Sequence, residues 1–232
     1  MPSRCSSGMP KTHKAVAAAC LAGILGVAGV SFGGSGYQAH DASQPAGQGS
    51  EEKAREKPVG LGETMPAFTL QNEMGEPVSL SEALANGPIV LTFYRGKWCP
   101  YCVKALKSLE TSVSDVNKLG ATVYAISPQT PEYAIDLRKQ TGLSYELLVD
   151  QDNRLAERLG LMFELDEKTV ERYGKYGIDV PEANGTDTWE LPIPATYVID
   201  TEGVVRYAWT NEDYSKRAPI SQVLKALREI DG

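Results

Sequence analysis

Apolar positions along the chain fall into short blocks with two different spacings. Phe68-Thr69-Leu70 and Val78-Ser79-Leu80 flank the turn-forming stretch Asn72 to Glu76 and predict an N-terminal hairpin. Ile89-Val90-Leu91-Thr92-Phe93-Tyr94 is almost continuously apolar, as a strand covered on both faces must be. Val103, Leu106, Leu109, Val113 and Val116 then recur every three or four residues, which predicts a helix over 101–118. Ala121 to Ile126 and Glu146 to Val149 read as further strands, Pro131 to Gln140 and Asn153 to Leu159 as helices. Tyr197 to Asp200 and Val204 to Trp209 surround the turn Thr201-Glu202-Gly203 and predict a second hairpin, and Ile220 to Ile230 a closing helix. Glu164 to Glu190 has no clear period and reads as an insertion. Strands alternating with helices predict an α/β domain whose central mixed sheet is flanked by helices.

That pattern covers only part of the 232 residues. Residues 1–40 hold Arg4, Lys11 and Lys14 but no Asp or Glu, and Ala15 to Gly34 carries no charge. A basic start followed by an uncharged run predicts an export signal or membrane anchor over 1–36. Both fit, because twenty residues can span a bilayer, whereas Ala and Gly dominate the run. A disordered cytoplasmic leader is the alternative. Gln38 to Pro58 is polar, with a charge run at Glu51–Glu56, and predicts a flexible linker over 37–58. The compact domain is expected over 59–232, exported to a periplasmic or other extracytoplasmic space and possible to tether through residues 15–34.

At 42% hydrophobic residues, disordered and collagen-like classes are excluded, and 4 Cys are too few for a disulfide scaffold. The net charge of −7 argues against nucleic acid as a partner.

The chemistry concentrates in Trp98-Cys99-Pro100-Tyr101-Cys102, at the end of a buried strand and the start of a helix. A C-x-x-C so placed is a redox signature of thioredoxin-like folds. Unpaired N–H groups and the helix dipole stabilise a thiolate there, and Arg95 and Lys97 add positive charge nearby. Two intervening residues let Cys99 and Cys102 close a small disulfide ring. Zinc would want four ligands, but Cys5, Cys20, His13 and His40 all precede the domain, so no metal site is expected. A purely structural disulfide is disfavoured because so small a loop stabilises little. The absence of His from the domain removes serine-type triads, and no phosphate-binding glycine motif occurs, so no cofactor is expected. Asn184-Gly185-Thr186 matches a glycosylation acceptor. Trp189, Tyr197, Tyr207 and Trp209 are expected to be core and sheet residues, and Asp200 to end a strand and start a turn.

With these residues in view, Val59 to about Ile230 resembles the alkyl hydroperoxide reductase/thiol-specific antioxidant family, the peroxiredoxins. The resemblance rests on Gly62-Glu63-Thr64-Met65-Pro66-Ala67-Phe68, Leu91-Thr92-Phe93-Tyr94, Ala125-Ile126-Ser127-Pro128 and Pro194-Ala195-Thr196-Tyr197-Val198-Ile199-Asp200. It implies a thioredoxin-like fold. In the family's Pro-x-x-x-Thr-x-x-Cys register, Arg95 replaces the Pro, Cys99 the Thr, and Cys102 falls on the peroxidatic Cys. The family's second active-site Arg falls on Pro194, and Arg206 is close in sequence. In the thioredoxin register, Cys99 is the nucleophile, Cys102 resolves, Pro194 matches the cis-proline, and Phe93 stands where a buried acid would be.

The resemblance implies a thiol-dependent peroxidase in which Cys102 attacks a hydroperoxide and becomes a sulfenic acid, Cys99 condenses with it to give the Cys99–Cys102 disulfide, and a thioredoxin-like donor regenerates both thiols. Arg95, Lys97, Trp98 and Pro194 are the supporting residues. The rival enzyme is an extracytoplasmic thiol–disulfide oxidoreductase with Cys99 as nucleophile. The non-enzymatic rivals are a redox sensor and a Cu(I) carrier, since two thiolates suit Cu(I). Thioredoxin-like Cu(I) carriers use a wider Cys spacing and a distal His, and no His follows His40.

Overall fold

The computed structural model describes residues 57–230; the leader and all but the last two residues of the linker lie outside them. Strands β1 (Thr69–Asn72) and β2 (Pro77–Ser79) form the expected hairpin, followed by α1 (Leu80–Ala85) and β3 (Ile89–Phe93). Next come α2 (Pro100–Glu110), α3 (Val113–Lys118), β4 (Thr122–Ser127), α4 (Pro131–Thr141) and β5 (Glu146–Val149). A 3-10 turn at Gln151–Asn153 leads into α5 (Arg154–Arg158). Then follow β6 (Met162–Glu164), α6 (Glu167–Lys175), α7 (Val180–Asn184) and β7 (Glu190–Pro192). Strands β8 (Ala195–Ile199) and β9 (Val205–Thr210) and helix α8 (Ile220–Ile230) close the domain.

Seven strands form one sheet in the order β2-β1-β5-β4-β3-β8-β9, and β6 and β7 pair separately. β3–β4 and β4–β5 are parallel, while β3–β8 and β8–β9 are antiparallel, so the sheet is mixed as expected. β3 sits inside it, and its alternating side chains feed two cores. Ile89, Leu91 and Phe93 pack with α1 and α5 residues such as Leu84 and Leu155. Val90 and Tyr94 pack with Leu106, Leu137 and Val223 of α2, α4 and α8. Burial on both faces explains the unbroken apolar run. Each fully covered aliphatic side chain there contributes about 1.5–3 kcal/mol relative to exposure.

One element differs from expectation, and the insertion gains definition. The helix predicted over 101–118 breaks at Thr111-Ser112, where Thr111 Oγ1 donates to the Ser108 carbonyl at 2.7 Å. Hydroxyl side chains that bond their own backbone favour helix ends, and the apolar period resumes in α3. The stretch 164–190 is folded: β6, α6, α7 and β7 enclose a small core of Leu165, Tyr173, Val180 and Leu191. Asp166 and Asp179 cap α6 and α7 by accepting from the Thr169 and Glu182 N–H groups. Asn184 is buried at 2% exposure, and its amide donates to the Glu190 carbonyl at 3.3 Å. It is therefore a structural residue, and the glycosylation pattern is not usable in the folded domain.

Leu91→Ala removes a side chain with 0% exposure from the central strand. It should cost about 2–5 kcal/mol of stability, read as an earlier urea midpoint, because the surrounding sheet relaxes only partly into such a cavity.

Candidate active site

The site begins where β3 ends. The Tyr94 N–H donates to the Ile126 carbonyl at 2.9 Å, and its hydroxyl accepts from Gln129 Nε2 at 2.9 Å. Gln129, itself fully buried, uses its other amide atom to accept the Lys97 N–H at 2.9 Å. One side chain on the β4–α4 connection thus fixes both ends of the loop that carries Arg95. Gly96 allows the loop's turn: its φ is +152°, and a Cβ there would meet Trp98 Nε1 at 2.5 Å.

Cys99 is the N-cap of α2, with extended backbone, and Pro100 opens the helix, where a missing N–H costs nothing. Cys99 Sγ accepts from the Cys102 N–H at 3.4 Å and faces Cys102 Sγ at 2.8 Å. Both thiols are free, and both are buried, at 1% and 0% exposure. Arg95, at 3% exposure, donates from Nη2 to Cys99 Sγ at 3.3 Å and from Nη1 to the Tyr173 hydroxyl at 2.9 Å. Its guanidinium lies over the Tyr214 ring at 4.0 Å and 5.4 Å from the Trp98 ring. On the other sulfur, Arg217 Nη2 donates to Cys102 Sγ at 3.1 Å.

These contacts separate the two thiols. The hydrogen bond from Cys102 and the charge and hydrogen bond of Arg95 outweigh burial and pull the Cys99 thiol down to about 5. Burial, the bond to Cys99 and the Cys99 charge push Cys102 well up, against the opposing charge of Arg217. The surroundings therefore favour ionisation of Cys99 over Cys102, with the Cys102 S–H directed at Cys99 Sγ.

Arg95 and Trp98 sit beside the dithiol as expected from sequence. Lys97 does not: its ammonium pairs with Asp136 at 2.9 Å and lies over the Tyr133 ring at 4.5 Å. Pro194 is buried just before β8, and because Phe93 pairs with Ala195, it stands at the cysteine end of the sheet. Its carbonyl accepts the Asn211 N–H at 3.3 Å, which anchors the 211–219 loop that carries Tyr214 and Arg217. Arg206 pairs with Asp200, and Asp200 accepts the Glu202 and Val204 N–H groups in the expected turn. That turn joins the opposite ends of β8 and β9. Tyr173, Tyr214, Arg217 and Gln129 were not legible as site residues, since no local pattern ties them to the cysteines.

A cavity of about 270 Å³ borders Cys102, Arg217 and Thr196 and is otherwise walled mainly by apolar side chains, among them Leu109, Ile220 and Val223. Among the described residues, no group of three or more His, Cys, Asp or Glu side chains is placed to hold a metal ion. No helix among them is long and apolar enough to cross a membrane.

The AhpC/TSA family model matches residues 61–208. The chloroplastic peroxiredoxin Q of Sedum lineare is 30% identical over 172 residues, which covers 74% of this chain and 80% of that protein. A putative peroxiredoxin bcp of Coxiella burnetii is 28% identical over 151 residues, 65% of this chain and 88% of that relative. Among solved structures, peroxidoxin BcpB from Mycobacterium tuberculosis superposes with a TM-score of 0.60 at 24% identity, covering 74% of this chain and 98% of the other. Xanthomonas campestris peroxiredoxin Q gives 0.54 at 21% identity, covering 70% and 90%. The two structures share the fold seen here.

The charge arrangement makes a pH prediction. Above about pH 5, the depressed value of Cys99, its thiolate dominates, and below it protonation removes the nucleophile. Alkylation of Cys99, followed by mass mapping, should rise through a midpoint near there and stay flat to neutral pH. A midpoint near the free-thiol value of about 8.5 would contradict it. Cys102→Ala, which deletes the S–H donor, should raise the midpoint more than Cys102→Ser, which retains a hydroxyl.

Proposed function

The chain belongs to the AhpC/TSA family, and from that premise we propose a thiol-dependent peroxidase cycle in which Cys99 attacks and Cys102 resolves. The observation that carries this order is that Arg95 Nη2, the Cys102 S–H and the Cys102 N–H all point at Cys99 Sγ. The Cys99 thiolate attacks one oxygen of a hydroperoxide. The O–O bond breaks, the leaving alkoxide takes a proton from water, and Cys99 becomes a sulfenic acid. Cys102 sulfur then attacks Cys99 sulfur. The S–O bond breaks, and the hydroxide leaves as water with the Cys102 thiol proton. A dithiol donor of the thioredoxin type reduces the resulting disulfide and is itself oxidised. The two sulfurs face each other within one helical turn, so resolution needs no unfolding of α2.

A second order of attack is favoured by one observation. Arg217 and the 270 Å³ cavity both meet Cys102, the residue on which the family's peroxidatic position falls. In that order Cys102 forms the sulfenic acid and Cys99 condenses with it.

For location, the basic leader and the uncharged run Ala15–Gly34 support export, with residues 37–58 as tether. The plant relatives are named as chloroplastic proteins, which fits a domain that acts outside its compartment of synthesis.

Single-cysteine variants decide the order. After one equivalent of hydrogen peroxide, Cys102→Ser should carry a dimedone-trapped sulfenic acid on Cys99, whereas Cys99→Ser should react at least tenfold more slowly. Fast trapping on Cys102 in Cys99→Ser would reverse the assignment.

A further inference from the structure

We propose that Tyr173, delivered by the folded insertion between α5 and β8, is a positioning residue for Arg95 and through it for the reactive Cys99. The inference rests on the reading that Cys99 attacks.

Arg95 is a buried cation whose orientation has few determinants. Its Nε has no hydrogen-bond partner. Nη2 points to Cys99 Sγ, and the Tyr214 ring covers the guanidinium face without fixing its rotation in the plane. The bond from Nη1 to the Tyr173 hydroxyl, at 2.9 Å, is therefore what sets that rotation. A planar fork held at one end presents its other end in a defined direction. If that end were released, Nη2 could swing from the sulfur toward any other acceptor.

Tyr173 is suited to the task because its own ring is fixed. It is 7% exposed and packs with Leu165, Val180 and Leu191, and its ring meets Trp98 edge-on at 5.4 Å. It is the buried residue of α6, a helix otherwise polar and exposed on much of its surface. Burial raises the phenol's proton affinity, against the opposing charge of Arg95, so the hydroxyl stays protonated and accepts through its oxygen lone pair. An insertion with no cysteine of its own thus acquires a role in the reaction: it carries the acceptor that aims the guanidinium. The effect should fall on the thiolate, not on the fold, since removing the hydroxyl leaves the ring packing intact.

The test titrates the Cys99 thiolate by its ultraviolet absorbance, with mass-mapped alkylation to assign it, in the reduced chain and in Tyr173→Phe, Arg95→Lys and the double variant. Tyr173→Phe should raise the midpoint by about one pH unit and slow alkylation about fivefold at the wild-type midpoint, with little change at pH 8. Arg95→Lys, which keeps the charge but cannot bridge two partners, should raise it also. The double variant should shift no further than Arg95→Lys alone, because both changes remove the same alignment. Additive shifts, or an unmoved midpoint in Tyr173→Phe while Arg95→Lys shifts, would overturn the positioning role and leave the Cys99 reading intact. An unmoved midpoint in Arg95→Lys would overturn the Cys99 reading itself. Should Tyr173→Phe fail to fold, ring-difluorinated tyrosine at 173 keeps ring and hydroxyl but weakens the acceptor. A midpoint displaced upward supports the role, and an unchanged one overturns it.

Discussion

A guanidinium held against a sulfur in a place almost closed to water is the interaction on which the rest of this site depends. Arg95 is 3% exposed, and an unpaired charge so placed would be costly. It is tolerated because the Cys99 thiolate supplies the opposite charge, Tyr173 an acceptor and Tyr214 a π-face. The converse also holds: a thiolate at 1% exposure persists because Arg95, the Cys102 S–H and the Cys102 N–H point at it. Each charge makes the other affordable, and neither would survive alone.

Three segments far apart in sequence are needed to build that pair. The turn from β3 into α2 brings Arg95, Cys99 and Cys102, held from the next strand's end by Gln129. The insertion brings Tyr173, and the 211–219 loop brings Tyr214 and Arg217. The loop is anchored at Pro194, whose carbonyl accepts the Asn211 N–H. A second guanidinium, Arg217, thus reaches the dithiol from the C-terminal part of the fold, onto Cys102. A chain with net charge −7 in this way concentrates positive charge at its two thiols.

What could be read from sequence follows the range of the interactions involved. β3, β4 and α8 lie within a residue or two of expectation because two-sided burial and helical amphipathicity leave a local apolar period. The cysteine pair was legible because its chemistry depends on a spacing of two and on a strand-to-helix junction. The break at Thr111-Ser112 was not, because the apolar period continues across it. The fold of 164–190 was hidden by short helices whose stability comes from caps and a small shared core. Tyr173, Tyr214 and Arg217 reach the cysteines only through tertiary contact, and Lys97, adjacent in sequence, turns instead to Asp136. Nearness in the chain misled there, and distance in the chain concealed the partners that matter.

The most direct test is stopped-flow Trp fluorescence of the reduced protein mixed with hydrogen peroxide, with Trp98 beside the thiols as reporter. A pre-stabilised Cys99 thiolate predicts oxidation orders of magnitude faster than a free thiol, at a rate that stays constant from weakly acidic to neutral pH. A rate close to that of a free thiol, rising with pH as an ordinary cysteine ionises, would contradict the account.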